Sequence, residues 1–138
     1  MTTSKRSNTI KFLSNKSARN DYVEAHIETG VAFQIKANRV SRDMTQVELG
    51  TLAGMKQEAI SRLERGGNLP QLETLTRLAS AFDVALVVRF VPFGELVEWS
   101  DSLGERNLSV PSFASDPMLQ HRMEGRVADY QRAQGESE

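Results

Sequence analysis

The sequence predicts a mainly α-helical domain, a bundle of four to five helices with one short β-strand near its C-terminal edge. Three observations predict it. Residues 45–66, TQVELGTLAGMKQEAISRLERG, hold two apolar stripes at helical spacing on either side of Gly54. Leu72, Leu75, Leu78, Ala79 and Phe82 repeat at the same period in a further helix. From Val84 to Val91 the pattern switches to a β-branched run, VALVVRFV, closed by Pro92.

Taken in order, residues 1–16 are rich in Ser, Thr, Asn and Lys and are expected to form a flexible N-terminal segment. The domain is expected over 17–93. It opens with a short extra helix from Arg19 to Glu28, its inward side formed by Tyr22, Ala25 and Ile27 and its end marked by Gly30. Val31–Ser41 is the first helix of the bundle proper. Thr45 caps the next helix, and Glu48 three residues on completes a capping box. Gly54 ends that helix where a left-handed residue is required. Lys56–Glu64 follows, with Met55, Ile60 and Leu63 facing inward. Position 50 must be small, because the second helix of the pair crosses the first there. Gly66-Gly67-Asn68 is a turn, and Pro70 suits the first turn of the helix after it.

A lone strand at 84–91 leaves its backbone N–H and C=O groups without partners. The economical solution is pairing with the same strand of a second copy, through Val84, Leu86, Val88 and Phe90. A homodimer is therefore expected. Phe93–Trp99 should form one or two helical turns. Residues 94–138 are expected to comprise that short helix and an acidic, mobile tail, with a loop-like stretch at 100–117 and a polar helix at 118–133.

The pair of helices around Gly54 has the spacing of a helix-turn-helix. The outward face of the second helix carries Lys56, Gln57, Glu58, Ser61, Arg62 and Arg65. A polar helix held out by a tight corner fits a DNA major groove. Arg62 suits a bidentate contact with guanine, Gln57 one with adenine, and Glu58 can accept from the amino group of cytosine.

Over roughly Val31 to Phe82 the chain resembles the XRE, Cro and phage-repressor group of helix-turn-helix proteins, whose lambda-repressor-like bundle it is expected to share. Within that group, MKQEAIS followed by LERG is most similar to antitoxins of the HipB and HigA kind. The resemblance implies base-reading positions at Gln57, Glu58, Ser61 and Arg62, and phosphate contacts from Thr45, Gln46, Lys56 and Arg65. It also implies a buried interhelical pair, Arg39 with Glu64, and dimerisation partly through the strand. Two residues depart from the group's pattern: Gly50 stands for a more usual Ala, and Lys56 for a helix-capping Thr or Ser. The function expected is that of a dimeric transcriptional repressor reading an inverted repeat in double-stranded DNA. The alternative is an antitoxin that also neutralises a cognate toxin protein.

The chain has no Cys, which excludes disulfides and thiolate metal sites. No apolar run reaches membrane-spanning length, and residues 1–16 lack the apolar core of a secretory signal, so a cytoplasmic location is expected. His26 and His121 stand apart from any nucleophile or carboxylate constellation, and no phosphate-cradling glycine loop or metal-ligand spacing is present. No enzyme activity and no cofactor are expected. The net charge is −1, but it is unevenly spread. Residues 31–93 carry eight basic and six acidic groups, whereas 94–138 carry four and nine. The domain is mildly basic and the tail acidic, which suits a nucleic-acid partner for the domain.

Overall fold

The computed structural model describes residues 2–102 and 108–135. Seven helices run in the order α1 (Thr2–Phe12), α2 (Lys16–Ser41), α3 (Gln46–Ala53), α4 (Gln57–Arg65), α5 (Leu72–Phe82), α6 (Phe93–Ser102) and α7 (Pro117–Gly135), with one 3₁₀ turn at Phe113–Ser115 before α7. Helices α2 to α5 form the bundle. Its centre is Ile35, Leu49, Ala53, Ile60, Leu78 and Phe82, with Leu49 and Ile60 wholly excluded from solvent. Each α-helix of the bundle sends one apolar stripe to that centre, which is how amphipathic helices of this length are stabilised.

The N-terminal boundary differs from expectation. Asn15 caps α2 by accepting from the backbone N–H of Ser17 at 2.8 Å. The helix then runs through Gly30 without a break for 26 residues. Gly30 weakens a helix but does not end one unless its backbone turns left-handed, and here it is buried inside a continuous helix. A Cβ built on Gly30 meets nothing within 4 Å. The variant Gly30→Ala is therefore expected to raise stability by about 0.5–1 kcal/mol. Chemical denaturation that gave a lower midpoint would show that this helix position is more crowded than its surroundings indicate.

The expected strand is corrected. Residues 84–91 have no regular secondary structure, and no strand occurs among the described residues. A strand is defined by its ladder, and no neighbouring segment of the described chain runs alongside to supply one. Val84 packs against the core. Leu86, Val88 and Phe90 do not: they are exposed, Phe90 completely.

The chain returns through α6, which meets the N-terminal half of α2. The His26 and Trp99 rings meet edge to face at 4.9 Å, and Ser100 Oγ lies 3.3 Å from His26 Nδ1. Burial pushes the His26 pKa below its ordinary 6.5. The neutral ring is thus favoured in the folded protein, and stability is whole above 6.5 and lost as pH falls from there through the lower folded value. Trp99 is the sole tryptophan. Its fluorescence should change as pH falls below 6.5 and α6 loosens, and His26→Gln should abolish that response. A flat titration would rule out this contact as the pH-sensitive element.

Residues 108–113, part of the stretch assigned to the tail, are pinned to the bundle. Buried Asn38 donates to the Leu108 carbonyl at 3.3 Å and accepts from the Val110 N–H at 3.0 Å. Arg42 donates to the Val110 carbonyl and the Ser112 hydroxyl, both at 2.9 Å, and stacks over the Phe82 ring. Ser112 Oγ donates to the Phe82 carbonyl at 2.9 Å, and the Phe113 N–H donates to the Asp83 carbonyl at 2.9 Å. These bonds satisfy an asparagine amide that would otherwise be a costly buried polar group.

Candidate nucleic-acid interface

The corner between α3 and α4 is fixed by local chemistry. The Thr45 hydroxyl accepts from the Glu48 N–H at 3.1 Å, satisfying one free donor at the start of α3. Gly54 sits at φ 68 and ψ 37, the left-handed region that a Cβ disfavours. The Met55 N–H then donates to the Gly50 carbonyl at 2.7 Å, closing the turn. A Cβ on Gly50 would lie 2.5 Å from the Met55 carbonyl oxygen. That close approach accounts for glycine at a position where alanine is usual in the resembling group. Lys56 occupies the cap of α4 and makes no side-chain capping bond. The first turn of α4 thus keeps backbone donors for other partners.

Helix α4 is sharply two-sided. Ile60 is buried, and Leu63 and Met55 pack against the core. On the other side Lys56, Glu58, Arg62 and Arg65 are exposed, while Gln57 and Ser61 are half-buried. No described segment of the chain covers that outward row, which is the geometric requirement for a groove-entering helix.

A hydrogen-bonded relay ties the start of α4 to the bundle. Gln57 Nε2 donates to Gln46 Oε1 at 2.7 Å, and Gln46 Nε2 donates to Glu64 Oε2 at 3.0 Å. Arg39 Nε donates to both Glu64 oxygens at 2.9 and 3.1 Å, its Nη2 stands 2.8 Å from Oε1, and its Nη1 donates to the Met44 carbonyl at 2.8 Å. The Glu64 side chain is 4% exposed and that of Arg39 14%. A buried carboxylate is tolerable only when its oxygens are met in this way. An amide carries two N–H groups and one carbonyl oxygen, so the Gln46 bond leaves Gln57 an N–H and its carbonyl for a base edge.

The structure brings most of the anticipated residues to one surface. Gln57, Glu58, Ser61 and Arg62 lie on α4, Thr45 and Gln46 at the start of α3, and Lys56 at the turn between the two helices. Arg65 ends α4 one turn beyond Arg62. Gln46, expected at phosphate, has its amide engaged on both sides as the spacer between Gln57 and Glu64. Sequence reasoning missed Asn38 and Arg42 as anchors of the C-terminal segment. The one signal was a polar residue, Asn38, recurring on the buried stripe of a helix three residues after Ile35.

The helix-turn-helix family model matches residues 35–88, the span from the last two turns of α2 through the α3–α4 corner to the segment after α5. Residues 35–88 belong to the helix-turn-helix family. Over that span the chain is similar to helix-turn-helix domains of the XRE type. A related sequence from Haemophilus influenzae, described as an uncharacterized HTH-type transcriptional regulator, is 32% identical over 65 residues. That similarity covers 47% of this chain and 66% of the relative, a little under two thirds of its length. Among solved structures, the wild-type restriction-modification controller protein C.Esp1396I is similar with a TM-score of 0.43 at 19% identity, over 58% of this chain and 96% of that one. A mutant of the same controller gives 0.42 at 23% identity, over 57% of this chain and 91% of that one. At these scores the structural likeness carries no functional argument. No described helix is long and apolar enough to cross a membrane.

Proposed function

We propose that the helix-turn-helix domain reads double-stranded DNA through α4 and that the protein acts as a dimeric transcriptional repressor at an inverted repeat. The observation that carries the reading is the uncovered outward row of α4, held in register by the relay from Gln57 through Gln46 and Glu64 to Arg39. In the groove, Arg62 contacts guanine, Gln57 adenine and Glu58 the amino group of cytosine, with Ser61 beside them. Thr45, Gln46, Lys56 and Arg65 set position against phosphates and carry no sequence information.

The exposed apolar residues Leu86, Val88 and Phe90 support a dimer, because a second copy removes them from water. Two copies would set their α4 helices about 34 Å apart, one turn of DNA. The antitoxin alternative has no support beyond the sequence resemblance.

Selection of bound sequences from random fragments should return a palindrome. On that operator, Arg62→Ala should weaken binding by about 1–3 kcal/mol and relax the preference at one base pair in each half-site. Equal loss on operator and random duplex would remove Arg62 from base reading.

A further inference from the structure

We propose that α1 is a second, sequence-independent contact to duplex DNA: a basic arm that grips phosphates flanking the site read by α4. This rests on the DNA-binding reading above and adds to it a surface outside the matched family span.

The charge distribution carries the proposal. Residues 1–20 contain Lys5, Arg6, Lys11, Lys16 and Arg19 and no acidic residue, in a chain whose net charge is −1. Lys5, Lys11 and Lys16 are exposed, and none of the three is in an ion pair among the described residues. Neither α1 nor α2 has an acidic residue in its first turn. Arg19 Nη1 donates to the Leu13 carbonyl at 2.9 Å, fixing the corner at which α1 leaves α2. A concentration of unpaired cations on one end of a protein is the electrostatic footprint of a polyanion site.

The helix itself points the same way. An 11-residue helix is marginal in water without a packed face. Ile10 and Phe12 of α1 are both largely exposed, so burial in the bundle does little to hold it. Like charges along it are mutually repulsive, and phosphates would relieve that repulsion. Two apolar residues do not make the wide apolar stripe that an interfacial membrane helix needs, which favours nucleic acid over a lipid surface.

The position of α1 in the fold agrees. The end of α4 lies against the middle of α2, since a Cβ on Gly66 would stand 3.2 Å from the Glu28 carbonyl and 3.5 Å from the Ala32 Cβ. Lys16 is three helical turns earlier, about 18 Å along α2 at 1.5 Å per residue. That distance is about five base pairs, so a duplex running along α2 would present flanking phosphates there.

The test uses the full chain with Lys5→Gln, Lys11→Gln and Lys16→Gln combined, beside Lys→Arg at the same three positions. Binding to the selected operator and to a random duplex of equal length is measured over a range of salt. The Gln variant should lose affinity for both duplexes by the same factor. Its slope of log affinity against log salt should flatten by about 0.9 for each phosphate no longer neutralised, so by about one to three units. The Arg variant should keep the wild-type slope. If wild type binds operator and the Gln variant reproduces its slope, the arm is overturned and the α4 reading stands. If wild type binds neither duplex, the DNA reading fails and takes the arm with it. Should the Gln substitutions instead abolish binding to phosphatidylserine vesicles while the DNA slopes stay unchanged, the arm is a membrane contact and the proposal is overturned.

Discussion

Replacing Glu64 with alanine is expected to destabilise the domain by about 3–5 kcal/mol, because it strands a buried guanidinium. Arg39 is aimed at the Glu64 carboxylate through two nitrogens, and only the Met44 carbonyl would remain as a partner. Small domains are stable by only about 5–15 kcal/mol, so this one substitution removes a large share. The loss should appear as a lower denaturant midpoint with an unchanged slope. DNA binding should fall as well, measured where the variant is still folded. Without Glu64, the Gln46 amide loses its anchor, and Gln46 in turn positions Gln57. The paired replacement Arg39→Met with Glu64→Leu should recover most of the stability, since removing both charges leaves neither stranded. It should not recover operator preference, because an apolar pair cannot hold Gln46. A loss under about 1 kcal/mol for Glu64→Ala would mean that the pair behaves as an exposed one.

The second large effect is expected at Gly50. In an ordinary helix, Gly→Ala gains about 1 kcal/mol. Here the added methyl would sit 2.5 Å from the Met55 carbonyl oxygen, a backbone atom that cannot rotate away. The Met55 N–H bond to Gly50 at 2.7 Å locks the same turn from the other direction. The clash should outweigh the propensity, giving a net loss of about 1–3 kcal/mol and a shifted α4. The opposite sign predicted for Gly30→Ala makes the comparison internal, since both glycines are buried in helices and differ in what faces them. Calorimetry on both variants checks it: two gains in melting temperature would mean that the corner yields more readily than its backbone contacts imply. The proposed DNA reading requires an intact corner, so Gly50→Ala should lower operator affinity more than random-duplex affinity.

Much of the reading corner was legible because its causes are local. Thr45 as a cap, Gly54 as a left-handed stop and the inward stripe of Met55, Ile60 and Leu63 depend on residues within one or two turns of each other. The demand for a small residue at position 50 was legible too, although the reason glycine stands there only emerged from the distance to Met55. Gly30 misled for a related reason. A glycine reads as a breaker when the chain on either side is weakly periodic, yet α2 continues across it. The strand failed differently. VALVVRFV has the composition of a strand, but composition cannot supply the partner a ladder requires. The anchoring of 108–113 was hidden by sequence distance, since Asn38 and Val110 are 72 residues apart.

Residue order alone was enough to specify that amphipathic helices would bury Ile35, Leu49, Ile60, Leu78 and Phe82 together, and that the polar row from Gln57 to Arg65 would face away from them. Hydrophobic periodicity and backbone sterics act over a few residues, so they are written in the order of the chain. Which polar groups meet was left to the packing of the helices. That packing joined Gln57, Gln46, Glu64 and Arg39 into one relay, and it turned Asn38 and Arg42 into a clasp for a segment that had looked like tail. Hydrogen bonds and ion pairs act over about 3 Å and need aligned partners. Whether two distant residues satisfy that condition is settled by how the helices cross, which no local pattern specifies.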